Sequence, residues 1–176
     1  MAKSSDSPLF FAVFTTAWGP MGAVGGEQGL RRIVLPHYQT GDLVDLLQWD
    51  SPSAVRDDER FEVLRSLSRD YFNGRAVDFS DIACELPSEK TFAGKVLQAC
   101  RDIPYGRTRG YRELAMSLNR PDAARAVAAS LGKNPLPLVV PCHRVIYADG
   151  RPGGFSAAGG AELKIRMLAL EKKQPG

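Results

Sequence analysis

The sequence is poor in cysteine and histidine. Its 176 residues include three cysteines and two histidines, and no two cysteines have the C-x-x-C spacing of a zinc or redox site. Widely spaced thiols in an odd number are expected to be reduced, which excludes a disulfide-stabilised scaffold. The apolar run at residues 9–14 is too short to span a membrane and lacks a small-residue cleavage site. We therefore expect a cytoplasmic globular protein without membrane association.

Charge is distributed unequally between the two halves of the chain. Residues 1–88 carry 8 basic and 13 acidic side chains, whereas residues 89–176 carry 15 basic and 7 acidic ones, and the net charges are −5 and +8. A cationic half beside an anionic half is typical of a protein in which one part binds a polyanion. Unequal charge on a solvated surface is the alternative interpretation.

The first half has the patterns of a mixed domain of strands and helices. Residues 9–16 and 29–35 are rich in β-branched and aromatic residues, which predicts two strands on either side of a glycine-rich turn region, as in a hairpin or small meander. Apolar residues recur at helical spacing between 57 and 72, and residues 77–84 predict another short strand. No cluster of cysteine, histidine and carboxylate occurs here. We therefore expect a scaffold domain over residues 1–87.

The second half, residues 88–176, is predicted to be mostly helical. Three helices are expected, at residues 91–103, at residues 111–118 and from Pro121 to Leu131. The last two are joined by a tight turn, as in a helix-turn-helix.

The third of these helices has an unusual outer face. A stripe for the core is predicted from its spacing: Ala124, Val127, Ala128 and Leu131. The opposite face carries one arginine among alanines, and such small side chains allow close approach to another surface. An alanine-rich helix that is simply stable in water fits the pattern as well.

Cys142 and His143 are the candidate catalytic pair. They follow an apolar run at residues 134–140, which predicts a buried strand that ends at the two side chains. A neighbouring imidazole and a neighbouring cation are groups that lower a thiol pKa, which favours Cys142 as a nucleophile, and the sequence leaves the pKa itself open. Because successive strand residues point to opposite faces, His143 reaches the thiol only if the chain turns or a water bridges them. Cys84 and Cys100 are interpreted as core residues.

The residues around Cys142 carry a resemblance to a known family. The sequence Pro-Cys-His-Arg-Val at 141–145, preceded by Asn134 and by Ala-Ala-Arg-Ala-Val at 123–127, resembles the methylated-DNA–protein-cysteine methyltransferases, the O6-alkylguanine-DNA alkyltransferases. The similarity covers residues 88–171. The first half resembles the family only in its general character and carries no matching motif. The resemblance implies an α+β fold with a small N-terminal α/β domain, ribonuclease H-like, and a C-terminal, mostly helical winged helix-turn-helix domain.

The activity that the resemblance implies is direct-reversal DNA repair. A methyl or larger alkyl group would pass irreversibly from O6 of guanine, or O4 of thymine, to Cys142. The base would be flipped out of the duplex, and each molecule would react once because water does not cleave a thioether. The implied partner is double-stranded DNA containing O6-alkylguanine, and no cofactor is implied. A monomer in solution is expected, with cooperative assembly on DNA left open.

The resemblance also implies a role for each matching residue. At the reaction centre, His143 would take the thiol proton through a water, Glu171 would polarise that histidine, and Asn134 would tie the active-site segment to the DNA-binding helices. A solvated carboxylate is the alternative for Glu171. The substrate pocket would be formed by Tyr111, Pro137, Phe155 and the backbones of Val145 and Ser156. Arg125 would replace the flipped base, and further DNA contacts would come from Ala123, Ala126, Ala129, Tyr111 and Arg144.

Some features leave alternatives open. The stretch at residues 157–161 is longer than in the best-known members of the family, which leaves the range of alkyl groups open. A zinc site of the kind some members carry is not supported, because His37 and Cys84 are the only candidate ligands of those types in residues 1–88. A non-catalytic alkyltransferase-like damage-binding protein is disfavoured by the presence of Cys142. A cysteine hydrolase would not explain the helix that carries Arg125.

Overall fold

The computed structural model describes residues 7–173, so the outer limits of the two predicted domains, residues 1 and 176, lie outside the described residues. The elements in chain order are β1 Phe10–Thr16, β2 Gly19–Gly26, β3 Gly29–Val34, α1 Thr40–Asp50, β4 Val55–Arg56, α2 Glu62–Phe72, α3 Phe92–Arg101, β5 Arg109–Gly110, α4 Tyr111–Ser117, α5 Ala124–Leu131, β6 Val145–Ile146 and α6 Gly160–Lys172. The expectation of a mixed α/β fold is confirmed. None of the helices in residues 7–173 has the length and apolarity needed to cross a membrane.

A four-stranded sheet organises the first half, in the order β3-β2-β1-β4. β1 pairs antiparallel with β2 and parallel with β4, and β2 pairs antiparallel with β3. Along β1, Phe11 and Val13 belong to a small core under α1, whereas Ala12 and Phe14 belong to the main core. Because successive side chains of a strand point to opposite faces, this continuously apolar strand is covered on both sides.

Two expectations about the first half are wrong. The glycine-rich stretch predicted to be a turn region is β2, whose residues 21–26 are buried. A Cβ atom at Gly22 would lie 2.8 Å from Leu47 Cδ1 and 3.1 Å from Leu43 Cδ1 of α1, so a larger residue there would force these buried leucines to shift where that helix packs on the strand. Residues 77–84 form no strand, and a single β-bridge joins Cys84 to Leu30 there. The sequence patterns did not predict α1.

Helices α3, α4 and α5 pack against one another in the second half. The Thr91 hydroxyl caps α3 by accepting a hydrogen bond of 3.0 Å from the Gly94 amide. On α5, Val127 and Leu131 are buried as predicted, but Ala128 is exposed and belongs to the outer face. The main core includes side chains from both halves of the chain, which holds the sheet and the helices together.

The segment before Cys142 is not the predicted strand but a series of buried turns. The Val140 amide donates to the Leu136 carbonyl at 2.8 Å, and the Cys142 amide donates to the Val140 carbonyl at 2.7 Å. Leu138 has a φ of 82°, a left-handed conformation that persists in a non-glycine residue only where the surroundings enforce it. A 3-10 helix at Cys142–Arg144 follows, so the chain turns at the thiol.

Candidate active site and DNA-facing groove

Cys142 lies at the wall of a cavity that opens beside α5. Its side chain is buried, with 5% of the residue exposed, and the cavity has a volume of about 310 Å³. The other lining residues come from α4, from α5 and its C-terminal end, and from residues 147–156: Tyr111, Ala128, Leu131, Gly132, Tyr147, Gly154, Phe155 and Ser156. Walls of aromatic and small apolar groups around one sulfur atom suit a planar ring.

The Asn134 side chain holds the turn that presents the thiol. Its Nδ2 donates to the Val140 carbonyl at 2.9 Å and to Cys142 Sγ at 3.2 Å, and its Oδ1 accepts from the Leu136 amide at 3.0 Å. Burial raises the pKa of the Cys142 thiol, and the Asn134 hydrogen bond and the Lys164 charge offset part of that rise. Burial of the thiol therefore outweighs the effect of its polar neighbours on the pKa, which the sequence had left open.

His143 is fully buried behind the thiol turn. Its Nε2 lies 2.6 Å from Glu171 Oε1. Burial lowers the pKa of His143, so the ring is neutral near pH 7 and Nε2–H donates to the carboxylate. The free lone pair is then on Nδ1, which has no hydrogen-bond partner among residues 7–173. The ring can accept a proton on the side that faces away from Glu171.

Glu171 is a buried carboxylate near the end of α6, with 2% of the residue exposed. It accepts hydrogen bonds from the Tyr71 hydroxyl at 2.8 Å, from the Gly106 amide at 3.1 Å and from Arg144 Nε at 3.0 Å. Burial by itself would raise its pKa, but the His143 hydrogen bond and the charge and hydrogen bonds of Arg144 lower the pKa of Glu171 to about 2. The alternative of a solvated carboxylate is wrong.

Arg144 requires a correction. It was predicted to contact DNA, but only 5% of the residue is exposed. Its Nη1 donates to the Ile103 carbonyl at 2.7 Å, while Nε and Nη2 donate to the Glu171 carboxylate. A guanidinium with these partners inside the protein does not reach a phosphate. Arg144 instead holds Glu171 in its ionised form.

Lys164 of α6 is a buried residue of the site that the sequence patterns did not indicate. Its Nζ donates to the Val145 carbonyl at 2.6 Å and to the Gly154 carbonyl at 3.3 Å, and lies 3.5 Å from the Tyr111 hydroxyl. Burial lowers the pKa of Lys164 to about 8. Lys164 and Glu171 are seven positions apart, a spacing that places them on the same helix face and was visible in the sequence. The backbone of Val145 was expected to hold the guanine, and its carbonyl thus accepts a hydrogen bond from Lys164.

The other predicted pocket residues are divided between two neighbouring spaces. Tyr111, Phe155 and Ser156 line the cavity at the thiol. Pro137 lies in an adjoining groove of about 450 Å³, which Ser156 also lines. Tyr147 was not predicted and lines the thiol cavity, with its ring centroid 5.3 Å from that of Tyr111. The sequence held no periodic pattern that would have indicated this tyrosine, because it lies in a loop.

The outer face of α5 is thin and carries one cation. Arg125, Ala126 and Ala129 are exposed, and Ala123 is half-buried at the start of the helix. These small side chains leave the arginine as the only long group among the exposed residues of α5.

A groove of about 510 Å³ runs between α4, α5 and residues 146–150. Its cationic lining residues are Arg109, Arg112 and Arg125. Tyr111, Ala128 and Tyr147 line both this groove and the thiol cavity, so the two spaces adjoin. The arrangement places a candidate nucleophile beside a cationic surface that suits a polyanion such as nucleic acid.

Comparisons with known proteins identify the family. Residues 91–173 match the family described as 6-O-methylguanine DNA methyltransferase, DNA binding domain. The methylated-DNA–protein-cysteine methyltransferase of Methanosarcina acetivorans is 34% identical over 165 residues, which cover 93% of this chain and 98% of that protein. The inducible enzyme of the same name from Bacillus subtilis is 34% identical over 149 residues, covering 82% of this chain and 81% of that protein.

Solved structures agree with this family. The O6-methylguanine methyltransferase of Mycobacterium tuberculosis superposes with a TM-score of 0.77 at 30% identity, covering 96% of this chain and 95% of that chain. The M. tuberculosis OGT in complex with DNA also has a TM-score of 0.77 at 30% identity, with 93% of each chain covered. The chain therefore belongs to the methylated-DNA–protein-cysteine methyltransferases and is an enzyme of direct-reversal DNA repair. The resemblance noted around residues 123–145 is confirmed.

Proposed function

We propose that Cys142 receives the alkyl group, and that the group comes from O6 of guanine in duplex DNA. The observation that carries this proposal is the position of the thiol in a cavity that adjoins the basic groove. Displacement at an alkyl carbon favours a soft thiolate. The S–C bond forms as the C–O6 bond breaks, the electron pair stays on the base, and guanine takes up a proton at N1. The same displacement at O4 of alkylated thymine would restore thymine.

His143 acts as the general base in this proposal. Its Nε2–H is bonded to Glu171, so Nδ1 is the nitrogen left to accept the thiol proton, through a bridging water. The ionised Glu171 stabilises the imidazolium that results, as a carboxylate does in the hydrolytic triads. Because burial holds the Cys142 thiol protonated near neutral pH, a base of this kind is needed for thiolate formation.

Asn134 and Lys164 support the thiolate once it forms. The Asn134 Nδ2 donates to Sγ at 3.2 Å, and a hydrogen bond to a charged acceptor is roughly twice as strong as one to a neutral acceptor. Asn134 follows α5 by three residues and bonds the turn at Val140, so it also links the DNA-facing helix to the thiol segment. The buried Lys164 ammonium adds a positive charge near Sγ.

The DNA-facing surface is assigned to the groove beside α5. O6 of a stacked guanine is not accessible to in-line attack, so the alkylated nucleotide rotates out of the duplex. Arg125 enters the gap, because its planar guanidinium can stack where the base was. The small residues Ala123, Ala126 and Ala129 let α5 lie in the shallow minor groove. Tyr111 borders both spaces and would press on the phosphate of the rotating nucleotide.

The proposal also assigns a domain type to each half of the chain. Residues 1–87 correspond to a ribonuclease H-like α/β domain, and residues 88–176 correspond to a winged helix-turn-helix domain in which α4 and α5 are the paired helices. The protein is a monomer in solution, and cooperative assembly of several monomers on one duplex is left open. The length of residues 157–161, beside Ser156 at the cavity, sets the range of alkyl groups accepted.

The test is a titration of the protein with a duplex that contains one O6-methylguanine. Because the thioether formed is stable, restored guanine should rise to one equivalent per protein and then stop. Cys142→Ala should restore none while still binding the duplex, whereas Cys84→Ala, which removes a half-buried thiol elsewhere, should behave as the unmodified protein. Continued turnover, or repair by Cys142→Ala, would refute the proposal.

A further inference from the structure

Tyr71 brings the first half of the chain into the reaction centre. It lies in the last turn of α2, has no exposed surface, and is 72 residues before His143 and 100 before Glu171. Its hydroxyl donates to Glu171 Oε1 at 2.8 Å, and its oxygen lies 3.3 Å from His143 Nε2. The phenol thus contacts both members of the pair behind Cys142.

The Tyr71 ring is held by other aromatic rings rather than by the carboxylate. Its centroid lies 5.1 Å from that of Phe72, 6.0 Å from that of Tyr105 and 6.3 Å from that of Phe79. The position of the hydroxyl is therefore set by core packing. A hydroxyl placed in this way offers Glu171 a fixed donor.

The hydroxyl is not needed to keep Glu171 in place. Arg144 donates to both carboxylate oxygens, and the Gly106 amide donates to Oε2. What Tyr71 adds is a further donor on Oε1, the oxygen that accepts the short bond of 2.6 Å from His143 Nε2. A donor on that oxygen draws electron density from the carboxylate and makes it a weaker acceptor for Nε2–H.

We propose that Tyr71 is a positioning residue through which the first half of the chain limits the strength of the hydrogen bond between His143 and Glu171. This inference rests on the proposed roles of those two residues. With the bond limited, Glu171 stabilises the imidazolium less in the resting protein, so more of the protein keeps His143 as a neutral base. The first half is then a functional part of the reaction centre and not a scaffold alone.

Several titratable or charged groups face this pair from the elements packed around it. They are Tyr71 of α2, Tyr105 after α3, Arg144 of the 3-10 helix and Lys164 of α6. Of these side chains, Tyr71 and Arg144 hydrogen-bond to Glu171 Oε1. Removing the Tyr71 hydroxyl changes that oxygen without removing a formal charge.

The experiment compares Tyr71→Phe with Tyr105→Phe. Tyr105 is a matched control because its ring packs on Tyr71, whereas its hydroxyl has no hydrogen-bond partner in residues 7–173. The rate of a single turnover on a duplex with O6-methylguanine is measured against pH. For Tyr71→Phe, the acid limb of the pH–rate profile should move to higher pH by about half to one unit. At a fixed pH below that limb, this shift corresponds to a rate loss of about three- to tenfold. The alkaline plateau should stay within about twofold, and Tyr105→Phe should follow the unmodified protein.

A second readout does not depend on alkyl transfer. The chain has two histidines, so a His37→Gln background leaves His143 as the source of the imidazole N–H signals in proton NMR. Tyr71→Phe should move the Nε2–H resonance downfield at neutral pH, because the bond to Glu171 strengthens. The inference would be overturned if Tyr71→Phe left both the Nε2–H resonance and the acid limb of the pH–rate profile unchanged. It would also be overturned if Tyr71→Phe lowered the rate equally at every pH.

Failure of the proposed function gives a different result. In that case Cys142 would carry no methyl group in the unmodified protein, or Glu171→Gln would leave the rate unchanged. The His143 resonance would still decide whether Tyr71 acts on the bond to Glu171, so the two failures are distinguishable.

Discussion

Replacing Glu171 by glutamine should destabilise the protein in a pH-dependent manner. The substitution keeps the shape of the side chain and removes the charge that pairs with Arg144 inside the protein. The pKa of Glu171 is lowered from about 4.5 to about 2 in the folded protein. Since a shift of one unit corresponds to about 1.4 kcal/mol, the ionised carboxylate contributes roughly 3 kcal/mol to folding at neutral pH.

The sign of the effect follows from the direction of the shift. A carboxylate whose folded pKa is lowered contributes stability above its unfolded pKa, here about 4.5, and loses it as the pH falls through about 2. Glutamine lacks this contribution and leaves Arg144 buried without a counter-charge, a change that costs about 3–5 kcal/mol in comparable pairs. The difference between the two proteins should therefore be about 3 kcal/mol at pH 7 and should shrink towards zero as the pH approaches 2.

Urea denaturation followed by tryptophan fluorescence, repeated from neutral to acidic pH, measures this difference. Glu162→Gln is the matched control, since Glu162 lies exposed in the first turn of the same helix and should change stability by less than about 0.5 kcal/mol. A Glu171→Gln protein within about 1 kcal/mol of the unmodified protein at pH 7 would refute the reasoning. A difference that does not vary with pH would refute it too.

Three further changes probe the site and the DNA-facing groove. Arg125→Ala should slow repair of the duplex more than reaction with free O6-benzylguanine, because only the duplex has a gap to fill. Lys95→Ala, on an exposed position of α3, is the control. Equal losses on both substrates would argue against the role of Arg125 in filling the gap. Asn134→Ala should slow methyl transfer by about ten- to a hundredfold, because one hydrogen bond to the thiolate is lost. An unchanged single-turnover rate would show that Asn134 does not stabilise the thiolate. Lys164→Met should raise the pKa of the Cys142 thiol, measured as a shift to higher pH in its alkylation by iodoacetamide, and a shift to lower pH would contradict the assigned charge effect.

Local sequence indicated the candidate nucleophile and its neighbouring histidine, and the family resemblance added Asn134; all three lie within ten residues of one another. Asn134, Cys142 and His143 share one segment, and the turns between them are closed by bonds from the Asn134 side chain and from the backbone. The strand expected there was wrong, since an apolar run of this length does not distinguish a strand from buried turns. Nevertheless, the chain turns at the thiol, which is one of the two conditions stated for His143 to reach it.

Long-range partners could not be predicted in the same way. Arg144 has the sequence context of a surface cation, and its burial depends on Glu171, which follows 27 residues later on another helix. Tyr71 occupies an apolar position of α2, and nothing in its neighbourhood indicates a carboxylate 100 residues away. The Arg144 contact requires α6 to fold back on the thiol segment, and the Tyr71 contact arises only when the two halves share a core.

The glycine-rich β2 is a further example of this limit. Glycine is depleted in strands, so the stretch was predicted to be a turn region. In the fold this stretch pairs with β1 on one side and β3 on the other, and α1 packs closely on it at Gly22. The local pattern of the sequence indicated neither these pairings nor α1.

The central claim, that Cys142 is the alkyl acceptor, is tested most directly by the mass of the peptide that contains it. Trypsin cleaves after Lys133 and Arg144, so Cys142 lies on a peptide of residues 134–144, separate from those of Cys84 and Cys100. After reaction with a duplex containing O6-methylguanine, that peptide should carry one methyl group on sulfur in an amount equal to the guanine restored. A methyl group on another peptide, or restored guanine without any methylated peptide, would contradict the account.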